Sequence, residues 1–214
     1  MNLKPNQTTP QAIKYLNSKI QRFDIINYLI EKHNFVNYLE IGVFKGENIE
    51  KIKTEHKDGV DPGVEGFISP HTNYNITSDE FFNLLKGVDI KYDIIFIDGL
   101  HHSNQVKKDI QNSLNHIVEG GYIVLHDCNP IDYEAQLIPR ETVVWNGDVW
   151  KAFVNFNQNN PSYECCVIDT DFGVGIIKNV GEGYNVGEDE TWNNFENNRK
   201  ESLNLITWEE YKSI

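Results

Sequence analysis

The chain has 214 residues, of which 39% are hydrophobic and 12% aromatic, enough for one sizeable core. Its formal net charge is −13, from 19 Lys and Arg against 32 Asp and Glu, and no segment concentrates the basic residues. This balance excludes the cationic surface with which a nucleic-acid binder displaces phosphate counterions. Three cysteines give no disulfide framework, the first residues contain no apolar leader, and no segment holds about 18 consecutive apolar residues. We therefore expect a cytoplasmic protein without nucleic-acid or membrane partners.

Helical spacing predicts helices over much of the first 34 residues, with Asp24 as the N-cap of a helix that ends near Asn34. Strand and helix patterns then alternate. The predicted strands are FVNYLEIGV (35–43), GVDP (59–62), YNIT (74–77), YDIIFID (92–98) and YIVLHD (122–127). The predicted helices between them are GENIEKIKTEHK (46–57), SDEFFNLLKG (78–87, capped by Ser78 or Asp79) and SNQVKKDIQNSLNHIVEGG (103–121). This alternation is typical of a parallel sheet covered by helices on both faces.

The alternation of strand and helix patterns ends near residue 129. DVWKAFVNFNQ (148–158) reads as a helix capped by Asp148, and YECCVIDTDFGVGIIKNV (163–180) predicts an antiparallel hairpin that turns at residues 169–173. Residues 181–198 read as a loop with a poor helix, and TWEEYKSI (207–214) as a short capped helix.

Carboxylates follow the predicted strands at or beside their ends. In an open α/β sheet, ligands bind outside the carboxyl ends of the strands, at the switch in strand order. Each such residue has a simpler explanation alone, because Asp and Ser also cap helices and favour turns. Their recurrence at neighbouring strand ends instead predicts one binding cleft. The strand-end residues are Glu40, Asp61, Ser78, Asp79, Asp98, His101, His126 and Asp127.

The loop EIGVFKG (40–46) is Gly-x-x-x-Gly and lacks the middle glycine of dinucleotide-binding loops. Glu40 at the strand tip would repel a pyrophosphate and suit a cationic ligand. Asp61, fifteen residues after Gly46, is placed to bind ribose hydroxyls. A ligand with a ribose, no phosphate and a cationic head is S-adenosylmethionine.

Six blocks in order resemble the motifs of class I S-adenosylmethionine-dependent methyltransferases, and more narrowly a bacterial methyltransferase-domain family often found beside glycan and secondary-metabolite genes. The blocks are YLEIGVFKG, GVDP, TSDEFF, YDIIFIDGLHHSNQVKKDI, EGGYIVLHDCNP and WNGDVWKAF, and the resemblance covers roughly residues 36–178.

The resemblance implies an α/β fold: a Rossmann-like three-layer sandwich with a seven-stranded, mostly parallel sheet whose last strand is antiparallel. One methyltransferase domain would span residues 1–214, with N-terminal helices (1–34), a core (35–180) and a C-terminal loop and short helix (181–214). Glu40, Gly42 and Gly46 would line the methionine part of the cofactor, Asp61 would bind the ribose, and Ser78 and Asp79 would lie near the adenine. Asp98 would also contact the cofactor.

Two interpretations of the segment IDGLHH (97–102) stay open. In the first, His101 is a general base, with His126 and Asp127 completing the catalytic group, because imidazole titrates near neutral pH. In the second, Asp98 and Asp127 bind a divalent metal, Mg²⁺ or Mn²⁺, that lowers the pKa of the acceptor hydroxyl.

The second interpretation follows a resemblance to catechol-type O-methyltransferases, which carry an Asp-Asn pair after the fifth strand. Here that pair is Asp127-Cys128, and a thiol is a poor magnesium ligand, so His126 or Asn129 would have to substitute. A purely structural role for the cluster, as turn, surface and buried core residues, is the alternative.

The predicted function is O-methylation of a small-molecule or glycan hydroxyl, with a homo-oligomer left open. Trp145 could stack on the acceptor, whereas Trp150 reads as a core residue. The competing hypothesis is a Rossmann-like scaffold that has lost transfer. An NAD-dependent oxidoreductase is disfavoured by the missing glycine and by Glu40, and a hydrolase by the absence of a Gly-x-Ser-x-Gly motif.

Overall fold

A seven-stranded sheet in the order β2-β1-β3-β4-β6-β5-β7 organises the computed structural model, which describes residues 3–64, 66–181 and 183–214. The strands are β1 (Asn37–Ile41), β2 (His56–Val60), β3 (Tyr92–Ile97), β4 (Ile117–Leu125), β5 (Glu164–Ile168), β6 (Val174–Lys178) and β7 (Leu205–Ile206). The α-helices are α1 (Pro10–Leu16), α2 (Arg22–His33), α3 (Ser78–Leu84), α4 (Ser103–His116), α5 (Val149–Asn159), α6 (Trp192–Asn197), α7 (Arg199–Ser202) and α8 (Trp208–Lys212). Within the described ranges, no helix is long and apolar enough to cross a bilayer.

Strands β1 to β4 are parallel, and β6 runs antiparallel to both β4 and β5. Alternate side chains of each central strand enter different cores. Ile95 and Ile97 pack with α3, α4 and α5, whereas Ile94 and Phe96 pack with α2 and α8. Both faces of the sheet are therefore covered, which confirms the predicted three-layer α/β class and its antiparallel strand.

Two local predictions were wrong. The predicted helix over residues 46–57 is only a 3-10 turn at Ile49–Lys51, because His56 enters the sheet and donates its N–H to the Val36 carbonyl at 3.0 Å. The pairing of β2 with β1 thus outweighs local helical spacing. Gly59 lies inside β2, where a Cβ would come 2.5 Å from the carbonyl oxygen of His71.

The segment YNIT (74–77) forms a single bridge, Val60 to Tyr74, instead of a strand. The seventh strand is β7, which pairs with β5 at the opposite edge of the sheet. Helix α3 is capped by Thr77 and not by Ser78 or Asp79, since Thr77 and Glu80 form a reciprocal capping box. These residues stay beside the strand ends because the bridge keeps their segment against β2.

Two capping predictions were also imprecise. Asp24 accepts the N–H of Gln21 from the third position of α2, so Gln21 is the cap. Asp148 precedes α5 but makes no capping bond there. Its carboxylate instead accepts the N–H of Ser103 at 2.6 Å and so caps α4 from a distant segment.

Candidate active site

The carboxyl ends of β1, β2, β3 and β4 form the floor of a cleft of about 760 Å³. The predicted site residues that line it are Glu40, Gly42, Asp61, Ser78, Asp79, Asp98, His101, His126 and Asp127. Gly46 is the exception. It lies in the loop after β1 with φ +86°, and a Cβ there would come 2.6 Å from the His71 ring, so its role is to let this loop turn.

Gly42 follows β1 and lies against the backbone at the end of β3. Its φ is +92°, and a Cβ would lie 2.2 Å from the carbonyl oxygen of Asp98. Only glycine fits this junction without moving the strand end that carries Asp98.

Glu40 is a buried carboxyl group at the end of β1, with 1% of its surface exposed. Its Oε2 accepts the Tyr38 hydroxyl at 2.5 Å and the Asn48 amide at 2.7 Å. Burial raises the pKa of Glu40 to about 7, because desolvation outweighs these two hydrogen bonds. A cationic ligand in the cleft would favour the ionised form.

Asp61 holds the loop after β1 against the end of β2. Its Oδ2 accepts the N–H of Phe44 and its Oδ1 that of Gly63, both at 2.7 Å. Phe44 has a left-handed backbone, with φ 47°, and its side chain is exposed beside the cleft. Each carboxylate oxygen keeps further acceptor capacity toward the cleft.

Ser78 and Asp79 face the cleft from the start of α3. Gln105 of α4 donates its amide to the Ser78 hydroxyl at 3.2 Å, to Asp79 at 2.9 Å and to the buried Asp109 at 3.1 Å. The Gln105 hydrogen bond, with help from Lys108, lowers the pKa of Asp79. Gln105 lines the cleft, although the sequence analysis did not single it out as a site residue.

Two imidazoles and two carboxylates meet at the ends of β3 and β4. His101 Nε2 lies 3.2 Å from Asp98 Oδ1, and His101 Nδ1 lies 3.3 Å from Asp127 Oδ2. His126 Nδ1 lies 3.4 Å from Asp98 Oδ1 and 3.2 Å from Asp127 Oδ2. The two carboxylates are thus bridged twice, once by each ring.

The carboxylates of this cluster favour the protonated, cationic form of both histidines. Burial opposes ionisation of Asp98, but His126 and His101 hold its pKa well below the ordinary value. Burial by itself would lower the pKa of both histidines. Asp127 and Asp98 overcome this and raise the pKa of His101 and of His126.

Three partners of the cluster come from distant segments. Asp171 lies in the β5–β6 turn, 3.5 Å from His126 Nε2, and its Oδ2 accepts the backbone N–H and Nη1 of Arg22 at 2.9 and 3.0 Å. Arg22 begins α2, lines the cleft, and places its Nε 3.7 Å from Asp98 Oδ2. Asn146 donates to Asp127 Oδ1 at 2.5 Å. None of the three was predicted as a site residue, because no local pattern distinguishes them.

Trp145 forms a wall of the cleft beside His101. Its indole stacks on the His101 ring with centroids 5.2 Å apart and an interplanar angle of 13°. The predicted stacking face is therefore occupied by His101. Trp150, predicted as core, is fully buried and stacks on Phe195.

Three side chains at the ends of β3 and β4 could hold a divalent metal. Asp98, His101 and Asp127 each offer one ligand atom, and these atoms lie within 4.8 Å of one another. His101 Nδ1 is buried without a hydrogen-bond partner, as expected of an atom that a metal or a substrate proton would engage. The residues fit such an ion, and an imidazole nitrogen beside two carboxylates suits Mn²⁺ better than Mg²⁺.

The residues after Asp127 contribute nothing to this group. Cys128 is buried and points toward β6, where a Cβ at Gly175 would come 2.7 Å from its sulfur. Asn129 donates to the Tyr15 hydroxyl at 2.7 Å and accepts from Arg199 at 2.6 Å. The third residue of the group that could hold a metal is His101, and neither His126 nor Asn129, the two substitutes that the sequence analysis allowed, belongs to it.

The raised pKa of Glu40 makes the stability of the free protein depend on pH. A carboxyl group whose pKa is higher in the folded state stabilises the fold while protonated, and this contribution is lost as pH rises from 4.5 toward 7. Between about pH 5 and about pH 8 we expect wild type to lose up to about 3 kcal/mol of unfolding free energy relative to Glu40→Gln. Urea unfolding without ligand measures this. Glu50→Gln, an exposed change, should follow wild type, and parallel profiles for Glu40→Gln and wild type would contradict the assignment.

Comparison with known proteins finds similarity to a methyltransferase domain over part of the chain. A family model described as a methyltransferase domain matches residues 39–128. The chain is 29% identical over 125 residues to an uncharacterized protein of Acanthamoeba polyphaga mimivirus, and the match covers 49% of this chain and 57% of that protein. The chain thus spans little more than half the length of this curated relative.

Two solved structures share the fold. An O-methyltransferase from Bacillus cereus, determined in complex with S-adenosylhomocysteine, superposes with a TM-score of 0.51 at 12% identity, over 76% of this chain and 82% of that one. A candidate caffeoyl-CoA O-methyltransferase from Staphylococcus aureus superposes with a TM-score of 0.50 at 18% identity, over 81% of this chain and 93% of that one. At these identities the superpositions establish the fold. Residues 39–128 are thus similar to a methyltransferase domain, and the chain shares its fold with these O-methyltransferases.

Proposed function

We propose that this protein transfers a methyl group from S-adenosylmethionine to a hydroxyl of a small-molecule acceptor, sugar hydroxyls included. The observation that carries the proposal is that one cleft joins two sets of groups. Glu40, Asp61 and Asp79 suit a cationic ligand with a ribose, and the cluster of Asp98, His101, His126 and Asp127 can take up a proton. The free cysteines agree with a cytoplasmic setting.

The cofactor-binding roles follow from position and charge. Glu40 would bind the cationic amino-acid end of S-adenosylmethionine, and Gly42 would allow it to approach the backbone. Asp61 would accept the ribose hydroxyls, and Ser78 and Asp79 would lie near the adenine. When bound, S-adenosylmethionine supplies a methyl group on an electrophilic sulfonium.

His101 is the proposed proton acceptor. Transfer requires the neutral ring, and the raised pKa of His101 shifts that form toward higher pH. With its proton on Nε2, the neutral ring donates to Asp98 and leaves Nδ1 basic and without a hydrogen-bond partner. Nδ1 takes the acceptor hydroxyl proton as the oxygen forms its bond to the methyl carbon, and the bond from that carbon to sulfur breaks, which leaves S-adenosylhomocysteine. Asp127 Oδ2, 3.3 Å away, stabilises the imidazolium that results. His126 holds Asp98 and Asp127 in place, because its Nδ1 lies beside both carboxylates.

A metal-assisted version of the same transfer is favoured by one observation, the three-ligand group of Asp98, His101 and Asp127. A divalent ion there would lower the pKa of the acceptor hydroxyl, so that His101 would serve as a ligand and not as a base. If the protein were a scaffold that has lost transfer, we would expect a defect among its predicted cofactor-binding residues. Instead, the predicted carboxylates all line one cleft.

Calorimetric titration with S-adenosylhomocysteine tests the cofactor assignment. We expect wild type to bind, and Asp61→Asn to bind at least about tenfold more weakly, because it loses charge-assisted hydrogen bonds. Asp58→Asn is the matched control, since Asp58 lies on the same strand outside the cleft and accepts the Tyr92 hydroxyl. Equal affinity in wild type and Asp61→Asn, or no binding at all, would contradict the proposal.

Assays of methyl transfer distinguish a general base from a metal ion. If His101 is the base, we expect transfer to be unaffected by EDTA and to fall at least about a hundredfold in His101→Gln, with S-adenosylhomocysteine affinity unchanged. If a metal acts, EDTA abolishes transfer, Mn²⁺ restores it, and Mn²⁺ binding disappears in Asp127→Asn. Formation of S-adenosylhomocysteine from a panel of hydroxylated acceptors is the readout. Full activity of His101→Gln in the presence of EDTA would contradict both.

A further inference from the structure

The cleft contains an arginine, Arg140, that forms no ion pair with any carboxylate of the residues that the structure describes. Arg22, Lys45 and Arg140 are its cationic lining residues. Arg22 is engaged by Asp171 and Asp98. Across the described ranges, no Asp or Glu lies within ion-pair distance of Arg140, although the cleft around it is rich in acids. Its guanidinium is held by neutral groups instead.

Those groups fix one edge of the guanidinium and leave another edge free. Arg140 Nε donates to the Thr142 carbonyl at 3.0 Å, and Nη2 donates to the Val143 carbonyl at 2.5 Å. The N–H groups on the end of the fork, from Nη1 and the second hydrogen of Nη2, are not used by these bonds. Two parallel donors of this kind match the two oxygens of a carboxylate.

The loop that carries Arg140 is preorganised. The N-terminal segment pairs with it, since Lys4 donates its N–H to the Glu141 carbonyl at 2.8 Å and accepts that of Val143 at 3.1 Å. Trp145 Nε1 donates to the Leu137 carbonyl at 2.8 Å. A guanidinium held in this way loses little conformational entropy when it binds an anion.

Arg140 and His101 both line the cleft and both lie against Trp145. The Arg140 Cζ is 5.8 Å from the centre of the Trp145 ring, and the His101 ring is 5.2 Å from the same centre. An acceptor that fills this cleft could therefore present its hydroxyl to His101 and another substituent to Arg140. Lys45 follows Phe44 in the loop after β1, which is the predicted cofactor loop.

We infer that the acceptor carries a carboxylate and that Arg140 is the specificity-determining residue that binds it, an inference that rests on the proposed function. The acids of the cleft would repel an anion elsewhere, so the free edge of Arg140 selects both the class of acceptor and its orientation. A carboxylate fits this edge better than a phosphate, because its two oxygens are coplanar and it brings less negative charge into an acidic cleft.

The test uses the protein saturated with S-adenosylhomocysteine and titrated with 3,4-dihydroxybenzoate or 3,4-dihydroxybenzamide, which differ in the carboxylate alone. In wild type we expect the acid to bind at least about tenfold more tightly than the amide, as a charge-assisted hydrogen bond allows. Arg140→Gln should abolish this preference. Lys45→Gln, which removes another cation of the cleft, should keep this preference.

Equal binding of acid and amide, or a preference that survives in Arg140→Gln, would overturn the inference. Failure of both probes to bind while S-adenosylhomocysteine still binds would also overturn it and would leave the proposed function intact. If S-adenosylhomocysteine itself does not bind, the proposed function fails and the inference falls with it. Titration with S-adenosylhomocysteine therefore separates a failure of the proposed function from a failure of the inference about Arg140.

Discussion

The parallel register of β1, β3 and β4 is the constraint on which the site depends. Ile41 pairs with Ile97, and Ile97 with Leu125, so the three strands end side by side. The next residues along β3 and β4 are Asp98 and His126, which brings their charges to one point of a buried edge. Charges there are tolerated only when paired. Helix α2 and the β5–β6 turn supply the pairing through Arg22 and Asp171.

The site contains features that cost stability and that a ligand would offset. Glu40 is buried with its pKa raised to about 7, so its ionised form is disfavoured until a cation is bound. Asp127 and Asp171 both have left-handed backbones, with φ 58° and 45°, which costs a non-glycine residue about 1–2 kcal/mol. Such costs concentrate at functional sites, and here they lie on the residues that bridge or support the two histidines.

Sequence patterns revealed the parts of the site that follow directly from a strand. Asp98 and Asp127 could be predicted because each comes straight after an apolar run, and parallel strand ends meet at one edge of a sheet. Arg22, Asn146 and Arg140 could not, since loops and helix starts that are distant in sequence carry them there. The helix expected over residues 46–57 failed for a related reason: pairing of β2 with β1 decides that segment, and local spacing does not report it. Asn129 was placed near a metal by its proximity to Asp127, but it turns toward Tyr15 and Arg199.

The central claim is that the acidic part of this cleft binds S-adenosylmethionine and directs its sulfur toward the cluster of His101 and Asp127. A crystal structure of the protein with S-adenosylhomocysteine tests it most directly. The account predicts the amino-acid end of the ligand at Glu40, the ribose hydroxyls on Asp61, and the sulfur facing His101. A ligand bound outside this cleft, or bound in it with its sulfur turned away from His101, would contradict the account.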